Sequence, residues 1–342
     1  MRRRQTAALV AAGMLLSGCS GGTPHSAAPS ATATPRSSNS SRPPALSSTK
    51  SAEVSVTTAL HLPVGVSRTV LLASGARLLA LGGLAAGDTT TGRIWSIDTV
   101  DATARQVGTL STSVHDASGA LLAGRAVVFG GGAATTVADV QAWNDRRTTT
   151  VGALPQPRSD SAAASIGTTA YVVGGFTGQG MARDVLATTD GHRFRVVGRL
   201  HIGVRYPAVA AVGRYVYVVG GELATTEGTL AGAQTDAVQR IDPATGQVRV
   251  IGHLGRGLGH ATAFAIGGRL FVAGGRHGAT ATADVIEVSV DDGAWQRVGR
   301  LPRAMSDAAA AVVGSVAWLV GGETSGPSAP VSTVLALRLS RG

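Results

Sequence analysis

The chain is 342 residues long, carries 30 Lys and Arg against 20 Asp and Glu, and contains a single cysteine. One thiol rules out an internal disulfide, so a folded domain here must rest on buried apolar area. The formal charge of +10 suggests a polyanionic partner, but Arg2, Arg3, Arg4, Arg36, Arg42 and Lys50 all precede the first acidic residue, Glu53. With those six removed from the 30, 24 basic residues face 20 acidic ones. They are scattered singly rather than in tracts that follow a phosphate backbone, and nucleic acid is not expected as a partner.

The chain opens with a basic triplet, an apolar run from about Thr6 to Leu16 and then small residues, the layout of a secretory signal. The run is too short to cross a bilayer, which takes roughly 20 apolar residues. It ends in Leu16-Ser17-Gly18-Cys19, which resembles the lipobox of bacterial lipoproteins. That resemblance implies removal of residues 1–18, acylation of the Cys19 thiol, and a protein anchored by lipid to the cell membrane on its extracytoplasmic side. Residues 19–52 are rich in Ser, Thr, Ala and Pro and lack aromatics, a composition that cannot bury enough apolar surface to order itself. They read as a disordered tether that holds the next domain roughly 30 Å from the anchor.

From Glu53 onward the chain repeats. Leu62, Leu110, Leu154, Leu200, Leu254 and Leu301 are each followed, twenty positions later, by a glycine pair opening at Gly82, Gly130, Gly174, Gly220, Gly274 and Gly321. A fixed interval inside a looser period of 44 to 54 residues marks a repeat architecture. Between leucine and doublet lie a small-residue run such as Ser161-Ala162-Ala163-Ala164, a glycine turn, and a β-rich run such as Tyr171-Val172-Val173. A loop of variable length then leads to a third run, as at residues 139–143 or 284–288. A turn such as Asp291-Asp292-Gly293 leads to a fourth, ending Val/Ile-Gly-x-Leu. Four short β runs per unit predict a four-stranded blade.

The doublets, the aromatics three residues before them (Tyr171, Tyr217, Phe271, Trp318) and the flanking hydrophobic strands resemble the Kelch repeat, over about residues 53–342. The pattern departs at Leu79 and Val127, which replace the aromatic, and in the fourth strand, where the usual tryptophan survives only as Trp295. The resemblance implies an all-β, six-bladed Kelch-type β-propeller. After Gly321-Gly322 there is room for one strand, around residues 331–339, while residues 53–59 precede the first leucine as a fourth strand should. The last blade is therefore expected to be closed by the N-terminal strand, because an open ring would expose two sheet edges.

In each blade the loops entering the first and third strands open on one face, and the second of these varies in length, as binding loops on a rigid scaffold do. Six positions after the leucine stand Arg68, Asp116, Asp160, Tyr206, His260 and Asp307; one position earlier stand Ser67, His115, Ser159, Arg205, Gly259 and Ser306. By symmetry the first set forms a ring of polar groups at the mouth of the axial channel. With His115 and Arg205 it is the candidate ligand-binding site. In Kelch adaptors of eukaryotes the equivalent loop grips acidic peptides, so the resemblance implies the same face. Three aspartates, one arginine and one histidine suit a hydroxyl-rich or cationic ligand better. Pairing within the ring, Arg68 with Asp116 or Asp307, is the competing role. Arg276, His277 and Glu323 follow doublets on the same rim as lesser candidates, and the loop 222–236 is either a lid or padding.

Two functions compete. One is a monomeric, membrane-tethered binding or scaffold module without cofactor or metal, recognising a glycan, peptidoglycan fragment or protein loop. The other is a sugar epimerase resembling bacterial sialic-acid mutarotases, with an acid/base pair drawn from Asp160 or Asp307 and His260 or His115. Galactose oxidase-like chemistry is excluded, since its cysteine-linked tyrosine needs a cysteine that the domain lacks. A metal on Asp116, Asp160, Asp307 and His260 would have suitable ligand types, but ring symmetry alone would spread them too far apart. The binding module is the preferred reading.

Overall fold

The computed structural model describes residues 53–224, 233–324 and 329–340. The signal segment, Cys19 and the tether lie outside the described residues, as do residues 225–232 of the expected lid. Each repeat folds as a four-stranded antiparallel sheet whose strands follow chain order from the axis outward. Blade 3 is typical, with strands Ala162–Ile166, Thr169–Val173, Asp184–Thr188 and Arg195–Arg199. Blades 1 to 5 occupy residues 70–109, 118–153, 162–199, 208–253 and 262–300. Blade 6 takes Ala309–Val313, Val316–Val320 and Thr333–Leu339, and its outer strand is Val54–His61. That strand runs antiparallel to Thr333–Leu339, from Val54 opposite Leu339 to His61 opposite Thr333. The chain is a six-bladed β-propeller closed by its N-terminal strand, as the repeats predict.

The fixed spacing of leucine and doublet has a backbone cause. The second glycine of each pair donates its N–H to the carbonyl four residues after the next unit's leucine: Gly83 to Val114 (2.8 Å), Gly131 to Arg158 (2.7 Å), and so on round to Gly322 and Val66 (2.9 Å). The first glycine adopts a left-handed φ of 59° to 67°, and a Cβ there would sit on that same carbonyl. Only glycine allows this approach without strain. The recurrent Val/Ile-Gly-x-Leu ending is explained in the same way. Its glycine follows a β-bulge in the fourth strand itself, where Val107 before Gly108 and Ile251 before Gly252 have no partner in the third strand. There the sheet twists to meet the next blade.

Apolar packing is divided into six clusters, one per seam between neighbouring blades. The aromatic before each doublet fills the seam towards the following blade: Tyr171 between blades 3 and 4, Phe271 between blades 5 and 6, Trp318 between blades 6 and 1. A fully buried side chain of this size contributes roughly 1.5–3 kcal/mol relative to an exposed one. Around the axis the inner strands converge, and their alanines are the side chains that fit there.

Candidate functional site

Each of the six ring residues lies two positions before an innermost strand, and all six are left-handed, with φ between 50° and 58°. This conformation turns their peptide groups tangential to the axis. Asp116 donates its N–H to the Arg68 carbonyl (3.0 Å), Asp160 to Asp116 (2.7 Å), Tyr206 to Asp160 (2.8 Å), His260 to Tyr206 (3.1 Å), Asp307 to His260 (2.9 Å), and Arg68 to Asp307 (3.0 Å). Six backbone hydrogen bonds thus close a hoop across the channel. Aspartate and histidine tolerate the left-handed region; for arginine and tyrosine it is strained, and such strain persists where the surroundings over-determine it.

The six side chains converge on a cavity of about 170 Å³, walled further by the first residues of the innermost strands, among them Ser118, Ala162, Ala208 and Ala263. The space admits on the order of ten water molecules. Of the eight residues expected at the site, Arg68, Asp116, Asp160, Tyr206, His260 and Asp307 line it; His115 and Arg205 stand one position back and are absent from its wall. His115 sits over Gly132, with Nδ1 2.9 Å from the Thr90 hydroxyl and Nε2 3.8 Å from Asp116. Burial and the nearby Arg68 push its pKa down, so the ring is neutral at pH 7.

Three further charged residues join the site from the position just after the doublet: Glu222, Arg276 and Glu323. Each forms an isolated β-bridge with the residue preceding a ring position, at Arg205, Gly259 and Ser306 respectively. Sequence reasoning ranked Arg276 and Glu323 low and placed Glu222 in a loop, although a charge at one offset in three successive units was the available signal. Blades 1 to 3 carry Leu84, Gly132 and Phe176 at the same bridge.

With these residues the site becomes a circuit of alternating charge. Asp160 faces Arg205 (3.5 Å), whose Nε and Nη2 both donate to Glu222 Oε2 (3.0 and 2.8 Å). Glu222 Oε1 meets His260 Nε2 at 2.8 Å, and His260 Nδ1 meets Asp307 at 2.6 Å. Arg276 Nη2 then bridges Asp307 (2.7 Å) and Glu323 (2.6 Å), and Glu323 accepts from Arg68 Nε (3.0 Å). Arg68 Nη1 reaches the Tyr206 hydroxyl (3.1 Å) and Asp116 (3.3 Å). Tyr206 stacks on His260 at 3.9 Å and lies under the guanidinium groups of Arg68 and Arg205. The expected partner of Arg68 is Asp116 or Asp307, and the guanidinium lies against both, at 3.3 and 3.7 Å.

The circuit does not close: its two ends, Asp116 and Asp160, are neighbours in the hoop with no cation between them. Burial and the adjacent Asp160 push the Asp116 carboxyl up to about 8, and burial raises Asp160 as well. Opposite them the balance is reversed. Burial opposes the His260 imidazolium, yet Asp307 and Glu222 raise it to about 9. Burial likewise opposes ionisation of Asp307, and His260, Arg68 and Arg276 overcome it and hold that carboxyl at about 2. With both nitrogens donating, His260 has no lone pair for catalysis. Among the described residues no three His, Cys, Asp or Glu are grouped to hold a metal; the ring carboxylates are held by arginines instead.

A pH dependence follows from these shifts. The His260 pair contributes in full below the ordinary pKa of 6.5 and is lost as pH rises through about 9. Asp116 binds its proton more tightly folded than unfolded, so its ionisation between 3.8 and about 8 also erodes stability as pH rises. Asp307 contributes above 3.8 and loses its share as pH falls towards 2. The thermal midpoint is expected to peak at roughly pH 4–6 and to fall towards pH 9, with Asp116→Asn flattening the alkaline limb. A midpoint that climbs from pH 6 to pH 9 would contradict the assignment.

Fold and site together define a six-bladed β-propeller with a buried charge circuit and a small cavity at the channel mouth. No protein-family model and no curated protein matches the chain. Among solved structures it is similar to that of YjhT, at a TM-score of 0.70 and 16% sequence identity, over 83% of this chain and 100% of that one. At this identity the likeness is one of fold alone.

Proposed function

We propose that the chain is a Kelch-type binding module, tethered through a lipid on Cys19 to the extracytoplasmic face of the cell membrane, whose channel mouth receives a hydroxyl-rich ligand: a glycan or a hydroxyl-bearing protein loop. The observation that carries this reading is the gap between Asp116 and Asp160. Asp116 pairs with Arg68 and Asp160 with Arg205, each on one side only, and the two carboxyls border the cavity with acceptor capacity left over, which sugar hydroxyls would fill. Glycan arrays and peptidoglycan pull-downs with the wild type and Asp160→Asn form the test. A hydrogen bond to a charged group is worth roughly 1.5–3 kcal/mol, so affinity should fall about tenfold or more in the variant. Unchanged binding by Asp160→Asn would discard the site.

One observation favours the sugar-epimerase reading in second place. Asp116 and Asp160 are adjacent carboxyls, Asp116 pushed up to about 8 by burial and by Asp160, and Asp160 raised by its own burial, a pairing suited to general acid and base roles. Under that reading a sugar anomer is interconverted and the activity disappears in Asp116→Asn. Binding without turnover supports the module.

A further inference from the structure

The largest cavity described, about 570 Å³, lies away from the ring, in the seam between blades 1 and 2. Its origin is visible in the repeat. Leu79 stands where blades 3 to 6 carry the seam-filling aromatic. The second closing device is missing too. At three seams a left-handed glycine in the next blade's outer turn packs on an outer-strand glycine: Gly191 against Gly152, Gly246 against Gly198, and Gly293 against Gly252. At the first seam the turn residue is Asp145, held at φ 66°, and Gly108 is met by the Trp143 ring instead of turn backbone. The seam therefore stays open, with Val100 at its lip 78% exposed.

The lining differs from the ring in its chemistry. Arg77, Arg105, Asp101 and Asp145 all border the cleft, yet among the described residues none forms an ion pair or side-chain hydrogen bond. Asp98 accepts the N–H groups of Val100 and Asp101 through one oxygen only. The buried Trp143 indole N–H meets no acceptor in the protein. The N–H groups of Asp101 and Val100, with Arg77 at longer range, hold the Asp98 carboxyl below its usual value, but among the described residues no two charges of the cleft come within ion-pair distance, and a left-handed aspartate takes the place of glycine at its edge.

We propose that this cleft is a second binding site, for a zwitterionic ligand of the amino-acid or short-peptide type. Arg77 and Arg105 receive its carboxylate, and Asp101 and Asp145 its ammonium group. Guanidinium–carboxylate pairs are the strong hydrogen bonds available to such a ligand, and groups of both signs select against singly charged competitors. The site is independent of the channel mouth.

Isothermal titration of the full-length protein with trialanine tests it, with N-acetyl-trialanine amide and maltose as uncharged comparators. Trialanine is expected to saturate, and the blocked peptide and maltose to bind at least about tenfold more weakly. Arg105→Gln and Asp145→Asn should each weaken trialanine about tenfold, and Leu79→Tyr, which fills the seam, should abolish binding. Asp160→Asn should leave it unchanged. The proposal is overturned by an absence of saturation with trialanine, by equal binding of the blocked peptide or maltose, or by unaltered affinity in the Arg105 and Asp145 variants. Those two residues project from the surface, so their variants decide the matter even if Leu79→Tyr fails to fold.

Discussion

A chain shortened to begin at Leu62 is expected to lose cooperative folding altogether. The truncation removes the strand Val54–His61 and with it the whole outer ladder of blade 6. It also removes Val54, which is buried in the seam between blades 5 and 6 beside Val298 and Leu337. The strand Thr333–Leu339 would then present a bare edge, and the ring would be fastened only by the seam between blades 6 and 1, with its apolar packing and bonds such as Gly322 to Val66. Domains of this kind are stable by about 5–15 kcal/mol, whereas the lost ladder and one buried valine alone amount to a comparable sum. Size-exclusion chromatography and circular dichroism of the shortened chain should show an aggregating or non-cooperative species. Adding a peptide of residues 53–61 should restore part of the transition. A shortened chain that melts sharply within a few degrees of the full one would remove the clasp from the account of stability.

The largest effect of a single substitution is expected at Gly321→Val. This glycine has a φ of +67°, and a Cβ on it would collide with the Val66 carbonyl. That same carbonyl accepts the Gly322 N–H at 2.9 Å, one of the bonds that join the last blade to the first. A left-handed conformation costs a non-glycine residue roughly 1–2 kcal/mol, and more for a β-branched one. Loss of the seam hydrogen bond adds about 1 kcal/mol, and displaced backbone adds to it, giving roughly 3–5 kcal/mol in all. Urea unfolding should show the midpoint falling accordingly. Gly75→Ala is the control: its φ is +61° but a Cβ there meets nothing, so only the conformational cost of about 1 kcal/mol should appear. Equal losses at both positions would mean that the carbonyl contact carries no weight.

Much of the architecture was readable because each blade must solve the same problem at the same offset. Leucine, doublet and Val/Ile-Gly-x-Leu recur since every seam needs a buried side chain, a glycine under a carbonyl and a glycine beside a bulge. The six ring positions were legible for the same reason, as one backbone conformation repeated round an axis. Glu222, Arg276 and Glu323 were not ranked with them. Their importance comes from partners 17 to 255 positions away, as in Arg205 with Glu222 or Arg68 with Glu323. The opposite shifts of Asp116 and Asp307, two aspartates at equivalent positions, are likewise invisible in the repeat. The departure at Leu79 could be seen, but not its result, because the cleft also depends on Trp143 and Asp145 of the neighbouring blade.

By itself, then, the sequence determined the number of blades, the order of strands, the borrowed closing strand and the positions facing the channel mouth, since these follow from local periodicity and glycine stereochemistry. Only the tertiary structure decided which charges neutralise one another, where the circuit breaks and which seam stays open. Those outcomes rest on distances between side chains of different blades and on their shared burial, which sequence spacing does not encode.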